Sequence, residues 1–288
     1  MTNVAAHRFD QAIALESRGA NRVACKLDSG WSLPGDFFNG GYLHSLTINA
    51  AREITGVHPD PVAVSSTFLA PPKAGEVEVE VTTLSAGKSV TSALATMTQG
   101  GKPMVMSMVT LADLSTNTER APGAPEGTNY TPFPDVPTPE ECRPMQPDRR
   151  NSPLDGVLEF LTVPGFEDWV EKKWSPDPRI LMWARFRDGR PADTLCLPGL
   201  SDMGPPPSLR QGRMGWIPTL QLHVGTFARP TGSWILMDMF GSPYTGKYVC
   251  EDVDMWDESG VLVARARQEA VAPRPQTRSP LADTKSGH

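Results

Sequence analysis

The chain repeats itself. Thr67, Phe68, Pro71, Gly87, Lys88, Val90 and Gly101 recur as Thr226, Phe227, Pro230, Gly246, Lys247, Val249 and Gly260, all at one constant offset. Around these positions "STFLAPPKAGEVEVEV" answers "GTFARPTGSWILMDM", "SAGKSV" answers "YTGKYV", and "GGKPMVMSMVTLA" answers "SGVLVARARQEAV". The shared order is strand, F-x-x-P turn, strand, G-K turn, strand and glycine turn. That order is stronger evidence than the identities themselves. The alternation slips phase in the middle strand, so a small insertion and deletion cancel there. The reading is an internal duplication.

Periodicity supplies the elements of each copy. "GEVEVEVTTL" alternates Val77, Val79 and Val81 with Glu76, Glu78 and Glu80, the signature of a half-buried strand. "KPMVMSMVTLAD" and "GVLVARARQEAV" are the strands that close each copy. "GGYLHSLTINAAREITG" puts Leu43, Leu46, Ala50 and Ile54 on one helical face, with Gly56 just past the end. The expectation is an α+β chain in which each half lays a long helix on a curled antiparallel sheet. Residues 121–153 are dense in proline and read as an extended linker. The predicted organisation is therefore an N-terminal unit over 1–120, the linker over 121–153, a C-terminal unit over 154–275, and a disordered tail over 276–288.

Composition excludes several classes of function. The net charge of −6 comes without a basic run, so no phosphate-backbone footprint is visible and nucleic acid is not an expected partner. The first twenty residues lack a charged segment leading into an apolar one, unlike a signal peptide. No apolar run approaches the ~18 residues of a membrane span. Cys25, Cys142, Cys196 and Cys250 lack metal-type spacing and read as buried thiols. A cytoplasmic protein with neither metal nor cofactor is expected.

An asparagine–glycine–glycine helix start in "FFNGGYLHSL", a long antiparallel sheet and a tandem duplication together resemble a double hot-dog protein. The second half resembles the acyl-CoA thioesterase II family and its thioesterase-like relatives, through "WARFRDGRPADTLCLPGLSDMGPP", "IPTLQLHVGTFARP" and "DESGVLVARARQEAVAP". The resemblance covers both halves but not the linker. It implies hydrolysis of acyl-CoA thioesters by an aspartate, a hydroxyl residue and a glutamine, all from the second unit. Carried over by motif, these are Asp202 of the "SD" pair, Thr219 opening the strand before the F-x-x-P turn, and Gln268 of the closing "QE" strand. The run "TLQLHVGTF" departs from a more aromatic family pattern, and "MGPPPSLRQGRMG" replaces a longer connection. Both departures bear on the acyl pocket and the substrate class.

Thioester hydrolysis needs a water aimed at the carbonyl carbon, an acceptor for its proton, and donors for the oxyanion. Asp202 suits the second task, and Thr219 and Gln268 can orient the water. No G-x-S-x-G elbow suggests a covalent nucleophile. Asp202 also fits a turn residue beside Gly204 and the Pro205–Pro207 run. Gln268 ends a small apolar face formed by Leu262, Ala264 and Ala266, whereas Arg265 and Arg267 take the other face. By simple alternation Thr219 shares a face with Gln221 and His223. Gly40 and Gly41, after Asn39, either bring helix N–H groups to a bound thioester or only permit tight helix packing. His44 reads as structural. The Met104, Met106 and Met108 alternation reads as strand packing, and Lys88 and Lys247 read as solvated turn residues.

The resulting expectation is direct water attack on an acyl-CoA or similar thioester. One rival keeps the fold for dehydration, cyclisation or hydrolysis of a non-CoA substrate. Another is a non-catalytic protein that binds an acyl or polyketide-like ligand. A tandem unit satisfies its own pairing, so the assembly is a monomer or a homodimer.

Overall fold

The computed structural model describes residues 6–35, 37–116, 132–145, 152–166, 173–213, 215, 217–241 and 247–272. In the first half they form α1 (Arg8–Ala12), β1 (Glu16–Ser17), β2 (Arg22–Lys26), β3 (Ser32–Leu33), β4 (Phe37–Phe38), α2 (Gly40–Thr55), β5 (Asp60–Phe68), β6 (Glu76–Ala86), β7 (Val90–Gln99) and β8 (Lys102–Ala112). The second half contributes β9 (Arg143–Pro144), β10 (Leu158–Thr162), β11 (Arg179–Phe186), α3 (Leu197–Leu200), β12 (Thr219–Thr226), β13 (Ile235–Gly241), β14 (Tyr248–Asp257) and β15 (Leu262–Val271).

All strands but the β3–β4 pair join one 13-stranded sheet in the order β1-β2-β6-β7-β8-β5-β12-β15-β14-β13-β11-β10-β9. The seam is β5 against β12, antiparallel, with Gln221 opposite Thr67 and Gly225 opposite Ala63. Outward from that seam, β8, β7 and β6 on one side correspond to β15, β14 and β13 on the other. The strand order thus repeats the sequence pattern. Each seam strand would be an open edge in its own half, and pairing the two satisfies both sets of backbone groups.

Asn39 caps α2 by accepting the Tyr42 N–H at 3.1 Å, and Gly56 ends it in the left-handed region at φ 62°. Leu43, Leu46 and Ala50 are buried as their spacing predicts, but so is nearly every residue from Gly41 to Ala51. The helix is therefore enclosed rather than amphipathic, because the sheet wraps one side and α3 presses on another. Several of its polar groups are paired internally: His44 Nδ1 lies 2.6 Å from Ser66 Oγ, and Thr47 Oγ1 lies 2.6 Å from Ser107 Oγ. Burial pushes the His44 pKa down to about 3, with the charge of His223 adding to it, so the ring is neutral.

The expectation of a long helix in each half fails in the second. Among the described residues that half has only α3, a single turn of four residues with Pro198 and Gly199 inside it. Pro205, Pro206 and Pro207 follow soon after, and proline in a helix interior removes a hydrogen bond and clashes with the preceding turn.

Part of the expected linker is also more than a linker. Residues 132–145 lie against the outer face of the second half-sheet, where Trp183 Nε1 donates to the Pro137 carbonyl at 3.1 Å. Val136 and Cys142 pack there against an apolar cluster that includes Leu181, Trp183 and Trp256. The rest of that stretch lies mostly outside the described residues, as does the predicted tail. Among the described residues no helix is long and apolar enough to cross a membrane.

Asp60 ties the halves together beside the seam. It accepts from Thr194 Oγ1 at 2.6 Å and from Arg229 Nη2 at 2.8 Å, both from the second half, and from the Leu114 N–H at 2.8 Å. Burial alone would raise its pKa. The hydrogen bonds from Arg229, Thr194 and Leu114 outweigh that and hold it below the usual carboxylate range. This contribution to stability is complete above the unfolded value of about 4 and is lost as pH falls toward the lower folded value. Thermal melts from pH 7 to pH 3 should show Asp60→Asn less stable at neutral pH, with a shallower acid-side decline than the native chain.

Candidate active site

The first half contributes a helix start, and the second brings a carboxylate against it. α2 and α3 cross so closely that a Cβ on Gly41 would lie 2.1 Å from the Gly199 carbonyl oxygen. A Cβ on Gly40 would lie 2.6 Å from Asp202 Oδ2, and one on Gly199 would lie 2.3 Å from Ser45 Oγ. None of the three has a positive φ. At Gly41 the obstacle is backbone, which leaves no room for a side chain, whereas at Gly40 and Gly199 a Cβ would have to displace the Asp202 or Ser45 side chain.

Asp202 follows α3 directly and is held at several points. Asn39 Nδ2 donates to its carbonyl oxygen at 2.9 Å, while Asn39 Oδ1 caps the helix. The Gly41 N–H donates to its carboxylate. Thr219 Oγ1 donates to Asp202 Oδ1 at 3.4 Å. The surface that Asp202 retains faces a cavity, so a small molecule can reach it although protein surrounds it. Burial pushes its pKa up to about 7, against the pull of the Gly41 N–H and the Thr219 hydroxyl.

Thr219 reaches Asp202 through a bulge. It pairs with Ala270, Gln221 pairs with Glu269, and the register shifts between Thr219 and Gln221, so Leu220 is the extra residue. The bulge reverses the face of Thr219 relative to simple alternation. Thr219 therefore shares the inner face with Leu222, while Gln221 and His223 are exposed. His223 Nδ1 lies 2.7 Å from Ser65 Oγ across the seam, on the outer side. Gln268 sits opposite Leu222 on the inner face.

Asn39, Gly40, Asp202, Thr219 and Gln268 all line one cavity of about 530 Å³; Gly41 lies behind the wall with its N–H committed to Asp202. The remaining wall is mostly apolar, with Phe38, Leu43, Phe68, Met239 and Val253. Met106 and Met108 point outward, and His44, Lys88 and Lys247 do not reach the cavity. Among the described residues no group of His, Cys, Asp or Glu is arranged to hold a metal ion.

Two polar cavity residues, Ser201 and Glu251, are absent from the sequence expectation. Glu251 lies opposite Gln268 on the next strand, and its Oε1 has no hydrogen-bond partner among the described residues. Burial first, and then the charge of Asp202, push its pKa up to about 8. The signal was available in "YVCEDVDMWD": Val249, Glu251, Val253 and Met255 alternate inward, and an acid interrupts an apolar stripe.

A carboxylate flanked by a hydroxyl and an amide on the wall of an apolar cavity can take a proton from a small nucleophile and aim it at an enclosed ligand. Sequence comparison then decides the family. Models of the acyl-CoA thioesterase N-terminal and C-terminal domains match residues 27–112 and 139–272. The chain belongs to the acyl-CoA thioesterase family. At family level it is a thioester hydrolase. An uncharacterised Mycobacterium tuberculosis protein is 27% identical over 287 residues, covering 92% of this chain and 98% of that one. A candidate thioesterase II from Thermobifida fusca superposes with a TM-score of 0.84 at 27% identity, over 94% of this chain and 99% of that one. A hot-dog protein of unknown function from Alicyclobacillus acidocaldarius gives 0.79 at 20% identity, over 94% and 99%. The hot-dog fold of the family is thus the fold of this chain.

The crossing predicts an unusual penalty. Alanine for glycine inside a helix ordinarily gains about 0.5–1 kcal/mol. At Gly41 it must instead separate α2 from α3, and overpacking of that kind costs on the order of 3 kcal/mol. Denaturant unfolding of Gly41→Ala should show a loss of that order, whereas Gly156→Ala, exposed and without a positive φ or a close backbone contact, should show a far smaller one.

Proposed function

We propose that the chain is a double hot-dog thioesterase that hydrolyses an acyl-CoA, or a closely similar acyl thioester, in the cytoplasm. The observation that carries this reading is the position of the Asp202 carboxyl, between the Gly41 N–H and the Thr219 hydroxyl on the wall of an apolar cavity.

The acyl chain occupies the apolar part of the cavity, and its carbonyl lies at the start of α2. Of the first three N–H groups of that helix, Tyr42 bonds to Asn39 and Gly41 bonds to Asp202. The Gly40 N–H remains, beside the cavity, and is the donor offered to the thioester oxygen. Water is held by Thr219 and Gln268. As its oxygen bonds to the carbonyl carbon, one proton passes to the Asp202 carboxylate. The tetrahedral intermediate then collapses, the C–S bond breaks, and the departing thiolate takes that proton back. The products are a carboxylic acid and a free thiol, with no covalent enzyme intermediate. Neither half holds the complete set, so the reading requires both. It is satisfied by a monomer and equally by a homodimer.

Free-thiol release from a panel of short, medium, long and aromatic acyl-CoAs tests the proposal. Asp202→Asn should lower kcat by about 10²–10⁴-fold, the usual reach of a general base. Because the ionised carboxylate is the active form, the native rate should climb as pH passes about 7 and level off above it, and Asp202→Asn should lack that limb. Binding of a non-hydrolysable thioether analogue should survive the substitution. A rate that is indifferent to Asp202 would remove the carboxylate from the mechanism, and binding without turnover in the native chain would favour a non-catalytic acyl-binding role.

A further inference from the structure

The cavity contains a second carboxyl that water attack does not use. Glu251 stands in the apolar stripe of β14 between Val249 and Val253, with only 7% of its surface exposed. Its direct neighbours are Gln268 on β15 and Gly241 on β13, and the glycine offers no side chain to it. Its Oε1 is buried without a hydrogen-bond partner among the described residues, although the side chain borders the cavity. A buried polar atom left unpaired costs about 1–3 kcal/mol. Valine or leucine at this place would continue the stripe and avoid that cost. Residues that lower stability without a structural return are characteristic of binding sites.

We infer that Glu251 selects the substrate: the cavity takes an acyl chain that carries an uncharged hydrogen-bonding group, such as a hydroxyl or keto oxygen, within its first few carbons. This rests on the thioesterase reading above. The position follows from the sheet. Gln268, which holds the water, and Glu251 are cross-strand partners, so their side chains rise from the same face about 5 Å apart. That separation is roughly four carbon–carbon bonds measured from the carbonyl end. Beyond Glu251 the wall returns to Val253 and Met239, which suits the plain remainder of a chain. A protonated carboxyl both donates and accepts, so it matches a hydroxyl in full and a keto oxygen through its O–H. Burial and the nearby charge of Asp202 both favour that protonated form at neutral pH. A site built to bond a polar substituent rejects the analogue that lacks it far more strongly than an apolar pocket rejects an extra methylene.

The test compares hexanoyl-CoA with 3-, 4- and 5-hydroxyhexanoyl-CoA, using the native chain, Glu251→Gln and Glu251→Leu. At least one hydroxylated substrate should exceed hexanoyl-CoA in kcat/KM by tenfold or more in the native chain. Glu251→Gln, which still donates and accepts, should keep most of that preference. Glu251→Leu should abolish or invert it, and should melt at a higher temperature than the native chain because the unpaired carboxyl is gone. Binding of the matching thioether analogues, measured by calorimetry, provides a readout independent of turnover. If the hydroxylated analogue binds more tightly through Glu251 while no thioester is cleaved, the selectivity stands and the hydrolytic reading falls. Equal kcat/KM for plain and hydroxylated chains in the native chain, or a preference unchanged in Glu251→Leu, would overturn the inference.

Discussion

Everything in the site depends on how closely α2 approaches α3. With the Gly41 backbone against the Gly199 carbonyl, the N-terminus of a helix from one half meets the carboxylate that ends a helical turn in the other. One additional methyl group at that crossing would separate the Gly41 N–H from Asp202. It would also lift Asn39 from the backbone it holds. The close contact accounts for the unusual pair of glycines at a helix start, where their intrinsic helix propensity is poor.

The electrostatics follow from the same enclosure. Asp202 has two donors, which favour its charge, and surroundings that oppose it, and the balance leaves it titrating near neutrality. Glu251 has the enclosure without the donors. Burial thus raises both carboxyls of one cavity, while the donors pull Asp202 back toward its charged form and the charge of Asp202 pushes Glu251 further toward its protonated one.

Much of this was legible in the sequence. Valine–glutamate alternation gave the correct faces of β6, and the repeated turns anticipated a strand order that mirrors itself across the β5–β12 seam. The motifs named Asp202, Thr219, Gln268, Asn39 and Gly40 as candidates, and all five border one cavity. Several features escaped. Alternation could not reveal the bulge at Leu220, because a bulge is fixed by the partner strand and leaves no periodic trace. The helix expected in the second half was inferred from the first by symmetry, against the local warning of Pro198 and Pro205–Pro207. Glu251 was visible as an acid in an apolar stripe, yet only its cross-strand partner, roughly 56–61 Å away along an extended chain, showed what lay beside it. Proline density in 121–153 suggested a plain linker, and it could not show that Arg143–Pro144 would join the sheet as β9 or that Pro137 would accept from an indole.

The seam also determines how the molecule can move. Gln221–Gly225 and Ala63–Thr67 are joined by a backbone ladder, and Asp60 fastens the same border with Thr194 and Arg229. A clamshell opening of the two halves would have to unzip that ladder and break its cross-strand hydrogen bonds, as local unfolding does. Traffic to and from Asp202 must therefore pass by side chains and loops over a floor that does not part. Two lobes that look like separate units in the sequence behave mechanically as one plate.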